Sequence, residues 1–423
     1  MTLDTGTTAF MLVCTMLVLL MTPGLAFFYG GLARRKNVVS TMIMCFAAIG
    51  VVGIAWVVAG WSFAYGGDGS NPCFGGFDQL LLSGIVQEGE QGALTEGGYP
   101  VLLDVAFQMA FAMITCAIIT GAVAGRMRFG ALMAFIFIWV LVVYSPLAHM
   151  VWGKDGSLIG DIIGALDFAG GDVVHISSGV TGLLLCLALG KRRDYAFKSY
   201  RPHNVPFVAL GAGLLWFGWF GFNGGSAFAA DGTATLAILN TLVASAAGLA
   251  SWMVIERVRT GSPTLVGAST GLVAGLVVIT PSAGYVEPWA ALVMGAIVSP
   301  AVYFATSALK PHFGYDDALD AFGCHGIGGI LGGILTGLFV VPELSPNGNG
   351  GLIYTGDFTL LGQQVLGILV TLAIVIVLDL VIIAIVRALW HGELRVSKSE
   401  EARGLDVAVH GESAYPAFTG FDA

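Results

Sequence analysis

The sequence predicts an all-α polytopic membrane protein: eleven transmembrane helices, arranged as a 5+5 inverted repeat plus a final helix. Three observations carry that expectation: a composition too apolar for water, basic residues at alternate ends of successive apolar runs, and landmarks that recur at a fixed offset. Of 423 residues, 56% are hydrophobic and 11% are charged, against about 25% charged in an ordinary soluble domain. Such a chain belongs in a bilayer. The 61 glycines are roughly twice average usage, which suits lipid, where small residues let helix backbones approach closely.

Runs of about 20 apolar residues mark bilayer-crossing helices, and eleven start near residues 8, 38, 100, 130, 166, 205, 233, 264, 288, 319 and 360. Basic residues then test the direction of each crossing. They cluster at Arg34/Arg35/Lys36, Arg126/Arg128, Lys191 to Arg201, Arg257/Arg259, Lys310 and the tail from Arg387 to Arg403, always at alternate span ends, with Lys154 the one exception among 18 Lys and Arg. The positive-inside rule therefore places the N-terminus outside and the C-terminus in the cytoplasm. The loop from Phe63 to Tyr99 holds Asp68, Asp78, Glu88, Glu90 and Glu96 without a basic residue, as an outer loop should.

The landmarks come in pairs. TGAVAG from Thr120 and TGLVAG from Thr270 lie 150 positions apart, as do His175 and His325. Phe27 to Gly31 also loosely matches Phe220 to Gly225. Five spans per unit turn the second copy upside down, so the repeats cover about 8–200 and 205–342, followed by a last span over about 360–390. Inverted repeats are a transporter architecture with the substrate path at their interface. The expected domains are a membrane domain over 1–390 and a cytoplasmic regulatory tail over 391–423.

Net charge of −9 says little about partners, and no clustered basic face of the nucleic-acid-binding kind is present. Of the six cysteines, five lie in apolar runs and Cys73 stands alone in a loop, without disulfide or zinc spacing. No cofactor or metal site is expected. The first apolar run is long and followed by Arg34, Arg35 and Lys36, which reads as a retained span, while a leader removed upstream stays open.

His175 and His325 interrupt apolar runs, and a titratable ring at membrane depth is a functional-site hypothesis. His175 lies 16 residues before Lys191 and His325 lies 17 before Pro342, about 25 Å at 1.5 Å per residue. Full-length helices in opposite directions would then need a layer about 50 Å tall, more than the roughly 40 to 45 Å of a bilayer with headgroups. Helices that protrude or begin partway in solve this, and Gly164 to Gly171 and His312 to Gly323 are poor regular helices suited to vestibule walls. Two imidazoles in contact share one ring proton, one donating and the other accepting.

Asp167 reads either as a helix N-cap or as a direct substrate contact, and Asp320 is its loose counterpart, with Asp316 and Asp317 nearby. Trp152 is either an interfacial aromatic or a cation–π wall. Phe107, Gln108 and Phe111 on span three, with Phe222 and Ser226 on span six, supply stacked rings and a hydroxyl, or else ordinary core packing.

The strings MTPGLAFFYGGLARRKNV (from Met21), GALDFAGGDVVH (from Gly164), LLWFGWFGFNGGSA (from Leu214), GLVAGLVVITPSAGY (from Gly271) and DDALDAFGCHGIGGILGGILTGLF (from Asp316) closely resemble ammonium transporters of the Amt/Mep/Rh family over essentially the whole chain. The resemblance implies a homotrimer in the plasma (inner) membrane, each eleven-helix subunit with its own pore for ammonium or ammonia. It implies that Phe111, Trp152 and Ser226 recruit ammonium, that Phe111 and Phe222 gate, that Asp167 is a supporting carboxylate and that His175 and His325 are the twin-histidine pair. Trp152 and Ser226 favour the Amt branch. Tail segments LRVS (from Leu394), GLDV (from Gly404) and HGE (from His410) are similar to the family's cytoplasmic tail, which implies a PII-type signalling protein as partner. Ser262, where relatives often have Lys, and Cys324, where an aliphatic residue is commoner, depart from the pattern.

The expected function is recruitment of NH4+ at an outer site, deprotonation, and conduction of NH3 through an apolar pore with proton relay by the histidines. The alternative is an ammonium sensor of the same fold with little flux. A His/Asp metalloenzyme is disfavoured because His203, His312, His391 and His410 fall on cytoplasmic segments away from any cluster.

Overall fold

The computed structural model describes residues 2–86, 93–153, 156–195 and 200–415. Lys154, Glu88, Glu90, Lys198 and the last eight tail residues lie outside that set. The described residues form eleven helices long and apolar enough to cross a membrane: Thr5–Leu32, Arg35–Tyr65, Val101–Val123, Phe129–Trp152, Gly171–Leu189, Val205–Gly225, Gly232–Arg259, Leu265–Ser282, Pro288–Phe313, Phe322–Phe339 and Thr359–Leu389. We refer to them as spans one to eleven. The least buried spans, seven, nine and eleven, are exposed over most of their apolar length, as lipid-facing helices must be.

Polar side chains hold the interior where lipid supplies no hydrophobic force between helices. Indole N–H groups donate to threonines across spans, Trp139 to Thr181 and Trp219 to Thr280, each at 3.0 Å. Asn223 donates to Thr241 at 2.8 Å, and Asn240 donates to the carbonyls of Ala283 and Val286 at the end of span eight. Spans one and six, the first members of each half, make the most extensive helix pair, and Gly211 of span six lies against the backbone of Phe28 in span one.

The alternate loops gather at one end of the bundle. Arg34 pairs with Asp194 and Arg192 with Asp316, both at 2.6 Å, joining the loops after spans one, five and nine. The Arg34 hydrogen bond holds the Asp194 carboxyl well below the usual carboxylate range. Burial raises the Asp316 carboxyl, but the Arg192 guanidinium outweighs it and the net direction is down.

The tail crosses this basic end. Arg128 N donates to Leu394 O and Val396 N to Arg126 O, a short antiparallel pairing. Farther on, the Asp406 carboxylate accepts from Val38 N at 2.9 Å and Ser40 N at 2.8 Å, capping the first turn of span two.

Two spans differ from the sequence expectation in a way that matters. Span five begins at Gly171 instead of near 166, and span ten at Phe322 instead of near 319. Both are short, at 19 and 18 residues, and each carries its histidine in the first turns. Gly164 to Gly170 is largely non-helical, as expected, whereas His312 and Phe313 complete span nine and the irregular segment starts at Gly314.

Candidate functional site

Irregular backbone at membrane depth persists only where its polar groups find partners. Before span five they do: Gln364 of span eleven accepts from Leu166 N at 2.5 Å and donates to Leu166 O at 3.0 Å, and Phe168 N donates to Pro281 O. The first four N–H groups of a helix have no partner inside it. Here one side chain takes four: Asp167 Oδ1 accepts from Gly170 N and Gly171 N at 2.7 and 2.6 Å, and Oδ2 from Asp172 N and Val173 N at 2.8 and 3.3 Å. Gly170 adopts φ +124, a conformation side chains rarely accept, which lets the chain turn into the helix.

Span ten repeats the device. Asp317, eight residues before His325 as Asp167 is before His175, accepts from Phe322 N at 2.8 Å, and Asp320 takes the left-handed position of Gly170 at φ +59. The counterpart of Asp167 is therefore Asp317, and the pairing with Asp320 is corrected. Asp320 instead accepts from Lys310 Nζ at 2.7 Å. The 150-residue offset that linked the histidines contained this match.

Both histidines sit in single π-turns, Gly171–Ile176 and Phe322–Ile327, which insert a residue and are frequent at functional sites. The two turns meet because glycine faces backbone on each side. A Cβ on Gly179 would lie 2.3 Å from Gly326 N, and one on Gly329 would lie 3.0 Å from His175 Cβ. The rings then approach with Nδ1 to Nδ1 at 3.2 Å, at 1% and 4% exposure. One Nδ1 must carry the shared proton, so the two Nε2 atoms differ, one a donor and one an acceptor. His175 Nε2 is buried without a protein partner. Trp219 stacks on His175, with centroids 5.5 Å apart. Trp219 lies inside the motif LLWFGWFGFNGGSA, where nothing in the sequence marks its role.

Above His175 lie two phenyl rings. Phe222, 6.2 Å from His175, stacks on Phe111 at 4.0 Å and 11°, and Phe111 meets Trp152 edge-on at 6.2 Å. Trp152 Nε1 donates to Asp167 O at 2.7 Å, which ties the indole to the irregular segment. Ser226 donates to Phe222 O at 2.8 Å, leaving its lone pairs free. His149 bridges Ala64 O and Asn71 O at 2.9 and 2.8 Å, fixing span four to the end of span two and to the loop that follows it.

The stacked pair divides two cavities. A vestibule of about 900 Å³ at the end away from the basic loops is lined by Phe111, Trp152, Asp167 and Ser226. A narrower cavity of about 290 Å³ is lined by Phe222, Trp219, His175 and His325 and reaches Arg34 and Arg192 at the basic end. All seven residues selected from sequence line one cavity or the other.

A bundle of eleven described spans, enclosing two cavities parted by two phenyl rings with paired imidazoles beneath, defines a polytopic membrane protein. The Ammonium Transporter Family matches residues 9–415, and the chain belongs to that family. It is 48% identical to the ammonium transporter of Bacillus subtilis, covering 97% of this chain and 98% of that one. Identity is also 48% with the ammonium transporter of Aquifex aeolicus, over 98% and 94% of the two chains. The crystal structure of Saccharomyces cerevisiae Mep2 superposes with a TM-score of 0.87 at 34% identity, covering 99% of this chain and 93% of that one.

Proposed function

We propose that the protein conducts ammonium nitrogen across the plasma (inner) membrane as NH3, with the proton carried separately by His175 and His325. The observation that carries this reading is the Phe111–Phe222 stack, which separates a polar vestibule from the histidine-lined cavity. NH4+ docks between the Trp152 face, a cation–π contact worth about 0.5 to 2 kcal/mol, and the free lone pairs of Ser226. Passing the rings as an ion is costly, since a charge at the bilayer centre costs about 2.5 kcal/mol or more. Neutral ammonia escapes most of that penalty. Potassium has no proton to lose, so the same step rejects it.

Asp167 acts here as a positioning residue. Its two oxygens are engaged by four backbone N–H groups, and it holds both the start of span five and the carbonyl that anchors Trp152. The imidazole pair takes a proton at one Nε2, shifts another across the Nδ1 contact and releases one from the second Nε2. In this reading the vestibule faces outside, the basic end with its tail faces the cytoplasm, three copies form a homotrimer, and a PII-type signalling protein docks at the basic end.

The experiment is ammonium-evoked current from proteoliposomes on a supported membrane. Wild type should give a current and the His175→Ala/His325→Ala double variant none. Retention of ammonium current with unchanged discrimination against potassium in that variant would contradict the relay, and a wild type that binds ammonium without current would favour a sensor.

A further inference from the structure

The vestibule wall holds polar atoms that the pathway above leaves unused. Asp104, Gln108 and Phe111 occupy positions i, i+4 and i+7 of span three, one face of the helix leading from the vestibule mouth to the ring stack. Asp104 Oδ1, Gln108 Oε1 and Tyr65 Oη are all buried without a hydrogen-bond partner, and all three residues line the vestibule. Gln108 is only 4% exposed. Asp104 lies in the first turn of span three, yet no backbone N–H there reaches its Oδ1. Native proteins pair buried polar groups almost without exception, so three orphans in one wall ask for an occupant.

Their chemistry selects its sign. A carboxylate and an amide oxygen accept, a phenolic oxygen can accept as well as donate, and Tyr99, which hydrogen-bonds with the Asp104 carboxyl, joins Tyr65 in adding aromatic surface. Among the described residues lining the vestibule there is no Lys or Arg to neutralise Asp104. We propose that Asp104, Gln108 and Tyr65 form an antechamber site for a monovalent cation of ammonium size, loading the conduit one to two helical turns before Phe111. The proposal rests on the conduction reading for its role and on the orphaned acceptors for its existence. An ion held there keeps its charge, so the antechamber accepts potassium as well as ammonium, and discrimination begins only at the rings.

Two readouts test this. In ammonium-evoked current, Asp104→Asn should raise the half-saturating concentration about tenfold with the maximal current nearly unchanged, and added potassium, a competitor for wild type, should lose its effect. Half-saturation and potassium competition both equal to wild type would overturn the proposal. Independently of flux, wild-type crystals soaked in thallium(I) should show anomalous density beside Asp104 and Gln108, and density absent there at saturating thallium would overturn it too. A wild type without ammonium current but with that density would remove the conduction reading and keep the cation site.

Discussion

The starts of spans five and ten are the same local structure used twice, and their differences show how a duplicated scaffold acquires a ring stack on one side only. Each has an aspartate eight residues before the histidine, a left-handed residue three after that aspartate and a π-turn around the ring. Yet Asp167 caps four N–H groups, borders the vestibule and has Trp152 bound to its carbonyl. Asp317 accepts from Phe322 N, with Ala321 N beside it, and lies behind the Lys310–Asp320 pair. The ring stack stands only on the Asp167 side of the histidines, while the other side runs open to the basic end. Twofold repetition makes the meeting point, and departures from it make its two sides unlike.

The sharpest way to break the comparison is to remove each aspartate. Asp167→Ala orphans four buried donors, at about 1 to 3 kcal/mol for each left unsatisfied, and should fail to fold or melt far below wild type. Asp317→Ala should melt higher than Asp167→Ala, and equal melting temperatures in detergent would refute the asymmetry. Next comes the partition: Phe222→Ala should cost about 3 to 5 kcal/mol of stability and join the two cavities. Potassium current, which the conduction reading excludes in wild type, should then appear in proteoliposomes, and continued exclusion of potassium would move selectivity away from the rings.

The glycine contacts sharpen the comparison further. Gly179→Ala drives a Cβ into backbone at 2.3 Å, whereas Gly329→Ala meets a side-chain carbon at 3.0 Å. Overpacking costs about 1 to 3 kcal/mol, so Gly179→Ala should be the more damaging in both melting temperature and ammonium current. The smallest effect is electrostatic. Because the folded Asp316 carboxyl titrates below its ordinary value of 3.8, its contribution is complete above that value and fades as pH falls through its lower folded pKa. Melting temperature followed from pH 6 downward should drop less steeply for Asp316→Asn than for wild type.

Much of this fold was legible because lipid imposes simple rules. Apolar length located eleven spans, and most starts fall within three residues of expectation. The apolar pattern puts the start of span five five residues early because it runs through Leu166 and Phe168, where a side-chain cap and a left-handed glycine, not hydropathy, decide where the helix begins. The seven site residues followed from repeated histidines and from family motifs. Nearness to His325 in sequence favours Asp320 over Asp317, although the 150-residue offset points to Asp317. Trp219 and Asp104 were illegible for a different reason: a stacked indole and a carboxylate with one buried oxygen unpaired are defined by neighbours from elsewhere in the chain. The tail's cap on span two joins positions more than 360 apart, which no local pattern announces.

The paired phenyl rings also bear on water. Lying nearly parallel with centroids 4.0 Å apart, they leave no gap between their faces for a continuous file of water from the vestibule to the histidines. In the conduction reading a proton then reaches His175 only when the stack parts for its cargo, so proton and nitrogen share one opening.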